Sequence, residues 1–171
     1  FGNQTATLRW NHLFSKKLFF NLSLIYSRYD YNIGTPSGDA NAFTWTSMLR
    51  DYSARFDFTH YLSNTHTLKY GATTMFHELF PGTAYGTGSV TVFTSFILPA
   101  EYVLEHSLYI SDEYKTTQNL TIKYGLRFVL FQNMGPGTYY NYDEKHIATD
   151  SIVYDKGHIF NSYYSFEPRL A

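Results

Sequence analysis

Leu120-Thr-Ile-Lys-Tyr-Gly-Leu-Arg-Phe-Val-Leu-Phe131 is the stretch that decides the fold. Its even positions read Leu120, Ile122, Tyr124, Leu126, Phe128 and Leu130. Thr121, Lys123, Gly125 and Arg127 fall between them. A period of two places successive side chains on opposite faces of an extended strand, one apolar and one polar. Twelve residues is long for a globular strand, which usually runs about five or six. A strand that crosses a bilayer needs about 9–11 residues.

The same alternation recurs outward along the chain. Thr5–Phe14, Leu18–Tyr29, Met48–Leu62, His66–Phe76 and Ala100–Tyr114 precede this strand, and Ile159–Leu170 follows it. Each sets Leu, Phe, Tyr or Trp on even positions against Ser, Thr, Asn or charge on odd ones. The sequence therefore predicts an all-β fold of about seven strands.

The connections choose between architectures. Ser15-Lys16-Lys17, Ser63-Asn64-Thr65 and Lys115–Asn119 are short polar turns, whereas about residues 30–47, 77–99 and 132–158 are long. Short and long alternate strictly, so all the short turns fall at one end of the sheet. Transmembrane barrels have this asymmetry, with short periplasmic turns and longer extracellular loops. A β-sandwich, the competing all-β reading, has Greek-key crossovers instead. Aromatic residues gather towards the strand ends, at Trp10, Tyr26, Tyr52, Tyr70, Tyr102, Tyr114, Tyr124 and Tyr164. Barrels use such residues as interfacial girdles. The expectation is an antiparallel, up-and-down transmembrane β-barrel segment. Bacterial single-chain barrels have an even strand number. Seven strands would leave two open edges in lipid, so further strands are expected from sequence outside residues 1–171.

Composition agrees. Aromatic residues make up 20% of the 171 and charged residues 16%, at a mean hydropathy of −0.29. No apolar run approaches the ~18 residues of a spanning helix. There is no cysteine, which excludes disulfides and thiolate metal sites. A net charge of −1 and a pI near 6.7 give no basic surface for nucleic acid. The first residues, FGNQTATLRW, lack the charged and apolar regions of a signal peptide, so an exported protein would have lost one or would start upstream.

Several stretches carry a family resemblance. They are ATLRWNHLFSKKLFFNLSLIYSRYDY (6–31), LRDYSARFDFTHYL (49–62), HTLKYGATTMFHEL (66–79), LEHSLYISDEYKTTQNLTIKYGLRFVLFQNMGPGT (104–138) and FEPRLA (166–171). In order and spacing they resemble the mid-barrel region of TonB-dependent receptors, in particular the SusC-like type with a carboxypeptidase-regulatory-like N-terminal domain. The hairpin ISDEYKTTQNLTIKYGLR and the closing EPRLA are the most typical. The resemblance implies that residues 1–171 are part of a barrel domain of about 22 strands around a plug. It also implies a location in the bacterial outer membrane and import of a nutrient such as a glycan, a peptide or a metal chelate. The implied partners are membrane lipid, the rest of the barrel and plug, the TonB complex acting through an N-terminal part, and a surface lipoprotein. A passive porin and a rim-active barrel enzyme are the alternatives.

Candidate functional residues follow from the faces. On the polar parity lie Arg55, Glu105, Glu113, Lys123, Arg127, Glu167 and Arg169, charges that a lipid-facing side would not tolerate. A turn centred near Thr117 would set Ser111 opposite Lys123 and Ser107 opposite Arg127. Glu113 and Glu105 would then lie diagonal to the two cations. This is a charged path along the lumen or a self-satisfying ladder of ion pairs. His12, His60, His66 and His106 fall on the apolar parity near strand ends, where amphipathic rings suit an interface better than a metal. His146 and His158 share the third loop with Asp143, Glu144, Asp150 and Asp155, without a fixed ligand spacing. Tyr85 in the second loop and Tyr139, Tyr140 and Tyr142 in the third follow glycines. They offer flat amphipathic faces for a sugar or peptide, or they pack loop against loop. No nucleophile elbow, His-Glu-x-x-His or phosphate loop is present, so no enzyme, cofactor or metal is expected.

Overall fold

The computed structural model describes residues 1–36, 38–90 and 94–171; Ser37, in the first long connection, and residues 91–93, in the second, lie outside the described residues. The chain is all-β and antiparallel. Its strands are β1 (Gly2–Ser15), β2 (Leu18–Gly34), β3 (Phe43–Tyr61), β4 (His66–Gly86), β5 (Phe96–Ile97), β6 (Glu101–Lys115), β7 (Thr121–Met134), β8 (Gly137–Tyr142), β9 (Ala148–Tyr154) and β10 (Ile159–Leu170). The main sheet has the order β1-β2-β3-β4-β6-β7-β10, with the two-residue β5 added to β4 and β8–β9 forming a separate hairpin. Every neighbour in the main sheet is also the next long strand in sequence, which is an up-and-down meander. The seven strands read from alternation are these seven.

The long connections are shorter than the sequence suggests. β2 runs on to Gly34, β3 begins at Phe43 rather than Met48, and β4 continues to Gly86 rather than ending at Phe76. These extensions break the simple alternation, which hid them. Residues 132–158 are largely the end of β7 and the β8–β9 hairpin. A bulge explains part of the lost periodicity. Thr46 pairs with Thr83 and Met48 with Phe80, so Pro81 and Gly82 together oppose Ser47 and the parity of β4 inverts above them. The ring of Trp45 occupies the space that a Cβ at Gly82 would need, so only glycine fits there.

Below that bulge, even pairs with even across all six ladders, except at the end pairs Ser15–Leu18 and Ile159–Met134, each beyond a register shift. One row reads Trp10–Leu22–Phe56–Ala72–Leu108–Phe128–Phe166. The row beneath it on the same face includes Phe20, Phe58, Tyr70, Ile110, Leu126 and Pro168. Rings touch from strand to strand: Phe20 to Phe58 at 4.7 Å between centroids, and Phe58 stacked on Tyr70 at 5.1 Å. Higher up, Tyr26, Tyr52 and Phe76 form an aromatic row, at 5.3 and 6.4 Å between successive rings. At the short-turn end His66 stacks on Tyr114 at 4.4 Å. From His66 to Phe76 is ten residues of β4, about 34 Å along the strand and roughly 25 Å in height at a tilt near 40°. The polar residues inside this band are His12, opposite Phe20, His60 and Asp112 in the row above His66, and Thr74 and His106, which face each other in the row beneath Phe76. His106 therefore does not lie near a strand end, as the alternation alone suggested. Immediately above the band the same face turns charged, with Arg28 opposite Arg50 and Arg50 opposite Glu78.

A single sheet has no second layer to bury this face. Among the described residues only Phe20 and Ala42 are buried apolar side chains, while Leu8, Leu108, Tyr164 and Phe166 are more than half exposed. A domain normally buries its apolar face against another layer. The odd face is concave. Arg55 of β3 and Arg169 of β10, four strands apart in sheet order, line one cavity of about 860 Å³.

Candidate functional site: the concave polar face

Odd positions pair with odd positions, so the polar residues also form continuous rows. One crosses the whole sheet as Asn11–Asn21–Asp57–Gly71–Tyr109–Arg127–Glu167. Gly71 is required in it. A Cβ there would meet the carbonyl oxygen of Phe56 and the ring of Tyr109, which lies over the glycine. The Tyr109 hydroxyl donates to Asp57 Oδ1 at 2.6 Å. Asp57 Oδ2 in turn accepts from Arg55 Nε at 2.8 Å. Tyr109 and Asp57 were not singled out from sequence. A glycine and a tyrosine on the polar parity of adjacent strands are the signal for this unit, but it can be read only once the register is known.

The ion pairs differ from the sequence expectation by one step of register. Lys123 stands directly opposite Glu113, Gly125 opposite Ser111, and Arg127 opposite Tyr109. The turn is therefore centred at Gln118 rather than Thr117. Thr117 closes it, its Oγ1 accepting from the amides of Asn119 and Leu120. Glu113 Oε2 lies 3.4 Å from Lys123 Nζ and 3.8 Å from Lys69 Nζ, between two cations. Glu105, now opposite Phe131 and two rows above Arg127, no longer lies diagonal to it but still reaches it at 4.0 Å. Arg169 and Glu167 pair along β10 at 3.2 Å. All seven charges expected on the polar side are on it, and the structure brings them together with Asp57, Lys69 and Tyr109. Higher on the same face, His77 Nδ1 and Asp51 Oδ1 are 2.7 Å apart. His77 fell in a stretch read as loop, so it was missed.

The apolar face carries its polar groups towards its two margins and at His12, Thr74 and His106. At the lower margin Asp112 Oδ2 contacts His66 Nδ1 at 2.7 Å and accepts from the Tyr124 hydroxyl at 2.8 Å. A carboxylate on the apolar parity of β6 was the available sequence signal. At the upper margin Arg28 pairs with Asp30 at 2.8 Å and Arg50 with Glu78 at 2.6 Å.

The loop tyrosines separate. Tyr85 lies at the end of β4, opposite Thr44, and the bulge puts it on the same side as the apolar band. Tyr139 stays exposed but lays its ring 6.3 Å from Phe160, and Tyr154 stacks on both Phe160 and His158 at 5.0 Å. Tyr140 and Tyr142, on the other face of the hairpin, stay exposed with rings 6.4 Å apart. Of the third-loop acids, Asp143 caps a turn, its Oδ1 accepting from the amides of Lys145 and Ile147 at 2.9 Å. No cluster of three or more His, Asp or Glu suited to a metal exists among the described residues.

Comparison with known protein families, curated proteins and solved structures finds no match to this chain.

Proposed function

We propose that this chain is part of the wall of an outer-membrane β-barrel, and that the barrel is a TonB-dependent receptor that imports a nutrient. One observation carries the membrane reading. An unpartnered apolar face is confined to a band roughly 25 Å tall with aromatic rows at its margins, and the opposite face is polar, concave and ion-paired. That is the distribution lipid outside and water inside would select, and the band height matches the apolar belt of known barrels. In water the same face would be an aggregation surface. The meander supports the same reading, because up-and-down order with all short turns at one end is how a barrel wall is strung. The two outer strands, β1 and β10, have unpaired backbone edges, which lipid would make costly by several kcal/mol per group, so further strands close the wall. The receptor identity rests on the resemblance of residues 6–31, 49–62, 66–79, 104–138 and 166–171 described above.

The test is made in the cell that makes the protein. Single cysteines at Leu126 and Ser165 are treated in intact outer membranes with a membrane-impermeant thiol reagent. Leu126→Cys should resist labelling and Ser165→Cys should react once the lumen is opened to reagent. Growth on a panel of oligosaccharides, peptides and iron chelates then separates receptor from porin. Loss of this protein and loss of TonB should abolish use of the same compound. Uptake that persists without TonB would favour the porin.

A further inference from the structure

We infer that the concave face holds an anion-binding groove on the path of an acidic solute, lined by cationic heads and not by their carboxylate partners. The inference rests on the barrel reading for the solute's route, but the groove itself is a matter of geometry. The cavity of about 860 Å³ is lined by Arg55, Lys123, Arg127 and Arg169, with hydroxyls from Ser107, Ser111, Thr73 and Tyr109, and no carboxylate side chain is among its lining residues. Yet every one of those cations has a carboxylate partner. The two facts are reconciled by depth. Arg55 is 54% exposed against 19% for Asp57, Lys123 is 60% against 28% for Glu113, and Arg169 is 69% against 41% for Glu167, whereas Arg127 and Glu105 are exposed alike and meet only at 4.0 Å. In the first three pairs the carboxylate is the more covered partner, and the heads of Arg55, Lys123 and Arg169 face the open side. The pairs at Arg127 and Lys123 are loose, at 4.0 and 3.4 Å, so donors remain to be shared.

Charge is also graded along this face. From the row of Ser53, Met75 and Glu105 down to the short turns it carries Arg9, Arg55, Lys69, Lys123, Arg127 and Arg169 against Asp57, Glu105, Glu113 and Glu167. Above that row Asp51 and Glu101 are its carboxylates, and no Lys or Arg joins them. An anion on this face therefore meets a rising positive potential from the long-loop end towards the short-turn end, which low-dielectric walls focus. Guanidinium forks beside serine and threonine hydroxyls suit a carboxylate or phosphate group.

The experiment uses the full-length protein purified from outer membranes in detergent, with inorganic pyrophosphate and citrate as probes titrated by calorimetry. Trehalose and spermidine serve as the neutral and cationic controls. Saturable binding of a probe is expected, weakening as salt is raised. Arg55→Gln with Arg169→Gln should weaken it about tenfold or more, and Arg55→Lys with Arg169→Lys should restore most of the loss, since charge is kept. Preference for pyrophosphate or for citrate assigns the groove to phosphate or carboxylate. Spermidine binding in place of the anions, or a Gln variant that binds as tightly as the wild type, overturns the groove. So does wild-type protein that migrates as a folded outer-membrane species and binds neither probe, which would leave the barrel reading standing. A protein recovered from the soluble fraction overturns the barrel reading instead.

Discussion

Leu126→Arg separates a membrane wall from a sheet in water. Leu126 pairs with Ile110 on one side and Pro168 on the other, midway between the His66–Tyr114 stack and the Tyr52–Phe76 row. It is 44% exposed in the isolated sheet, so it has little protein packing to lose. An exposed surface substitution in water changes stability by no more than about 0.5 kcal/mol. At a bilayer midplane the same arginine costs about 2–4 kcal/mol. That is a shift of about 30-fold or more in the folded-to-unfolded ratio. Two controls fix depth and face. Tyr102→Arg, one row above the aromatic row and beside Glu78, should cost only about 0–1 kcal/mol. Ser165→Arg, on the polar face of β10, should cost less than about 0.5 kcal/mol. The assay is urea unfolding of the full-length protein refolded into lipid vesicles, followed by heat-modifiable gel mobility. An unchanged midpoint for Leu126→Arg refutes the lipid-facing assignment. A Ser165→Arg as costly as Leu126→Arg refutes the face.

Four further outcomes follow from the structure. Gly71→Ala should destabilise the same vesicle-refolded protein by about 1–3 kcal/mol, because its Cβ overlaps the Phe56 carbonyl and Tyr109 ring; a loss below about 0.5 kcal/mol would show that Tyr109 moves aside freely. Tyr109→Phe removes the 2.6 Å hydrogen bond to Asp57 and should cost about 1–2 kcal/mol in the same titration. Glu113→Gln removes the carboxylate shared by Lys69 and Lys123, but on a water-facing surface it should shift stability by less than about 1 kcal/mol. Residues 1–171 expressed alone should self-associate through the open edges of β1 and β10, as read by light scattering; a monodisperse species unfolding cooperatively without detergent would argue for a water-soluble sheet.

The seven long strands and the division into two faces were legible in the sequence, because a period of two is a local property of the chain; β5 and the β8–β9 hairpin, within connections read as loops, were not. Leu120–Phe131 alone shows which side is apolar, and Ser63-Asn64-Thr65 shows where the chain reverses. Register was not local. One residue's difference in where the turn of residues 116–119 is centred moves every cross-strand partner by two. Thus Glu113 came to face Lys123 directly, and Arg127 came to face Tyr109 rather than Ser107. The bulge at Pro81–Gly82 was hidden for a related reason. It inverts the parity of β4, so Tyr85 looked like a loop residue when it is strand, and only the pairing with β3 reveals it. The loop tyrosines could not be told apart by sequence, since Tyr139, Tyr140 and Tyr142 have the same neighbourhood of residues; the hairpin's own pairing with β9 turns Tyr139 to Phe160 and leaves the other two outside. Sequence determined which residues are charged and which side they share. Only the curvature and register of the folded sheet decided that Arg55, Lys123, Arg127 and Arg169 line one cavity, because those cations come from strands up to four apart in the sheet.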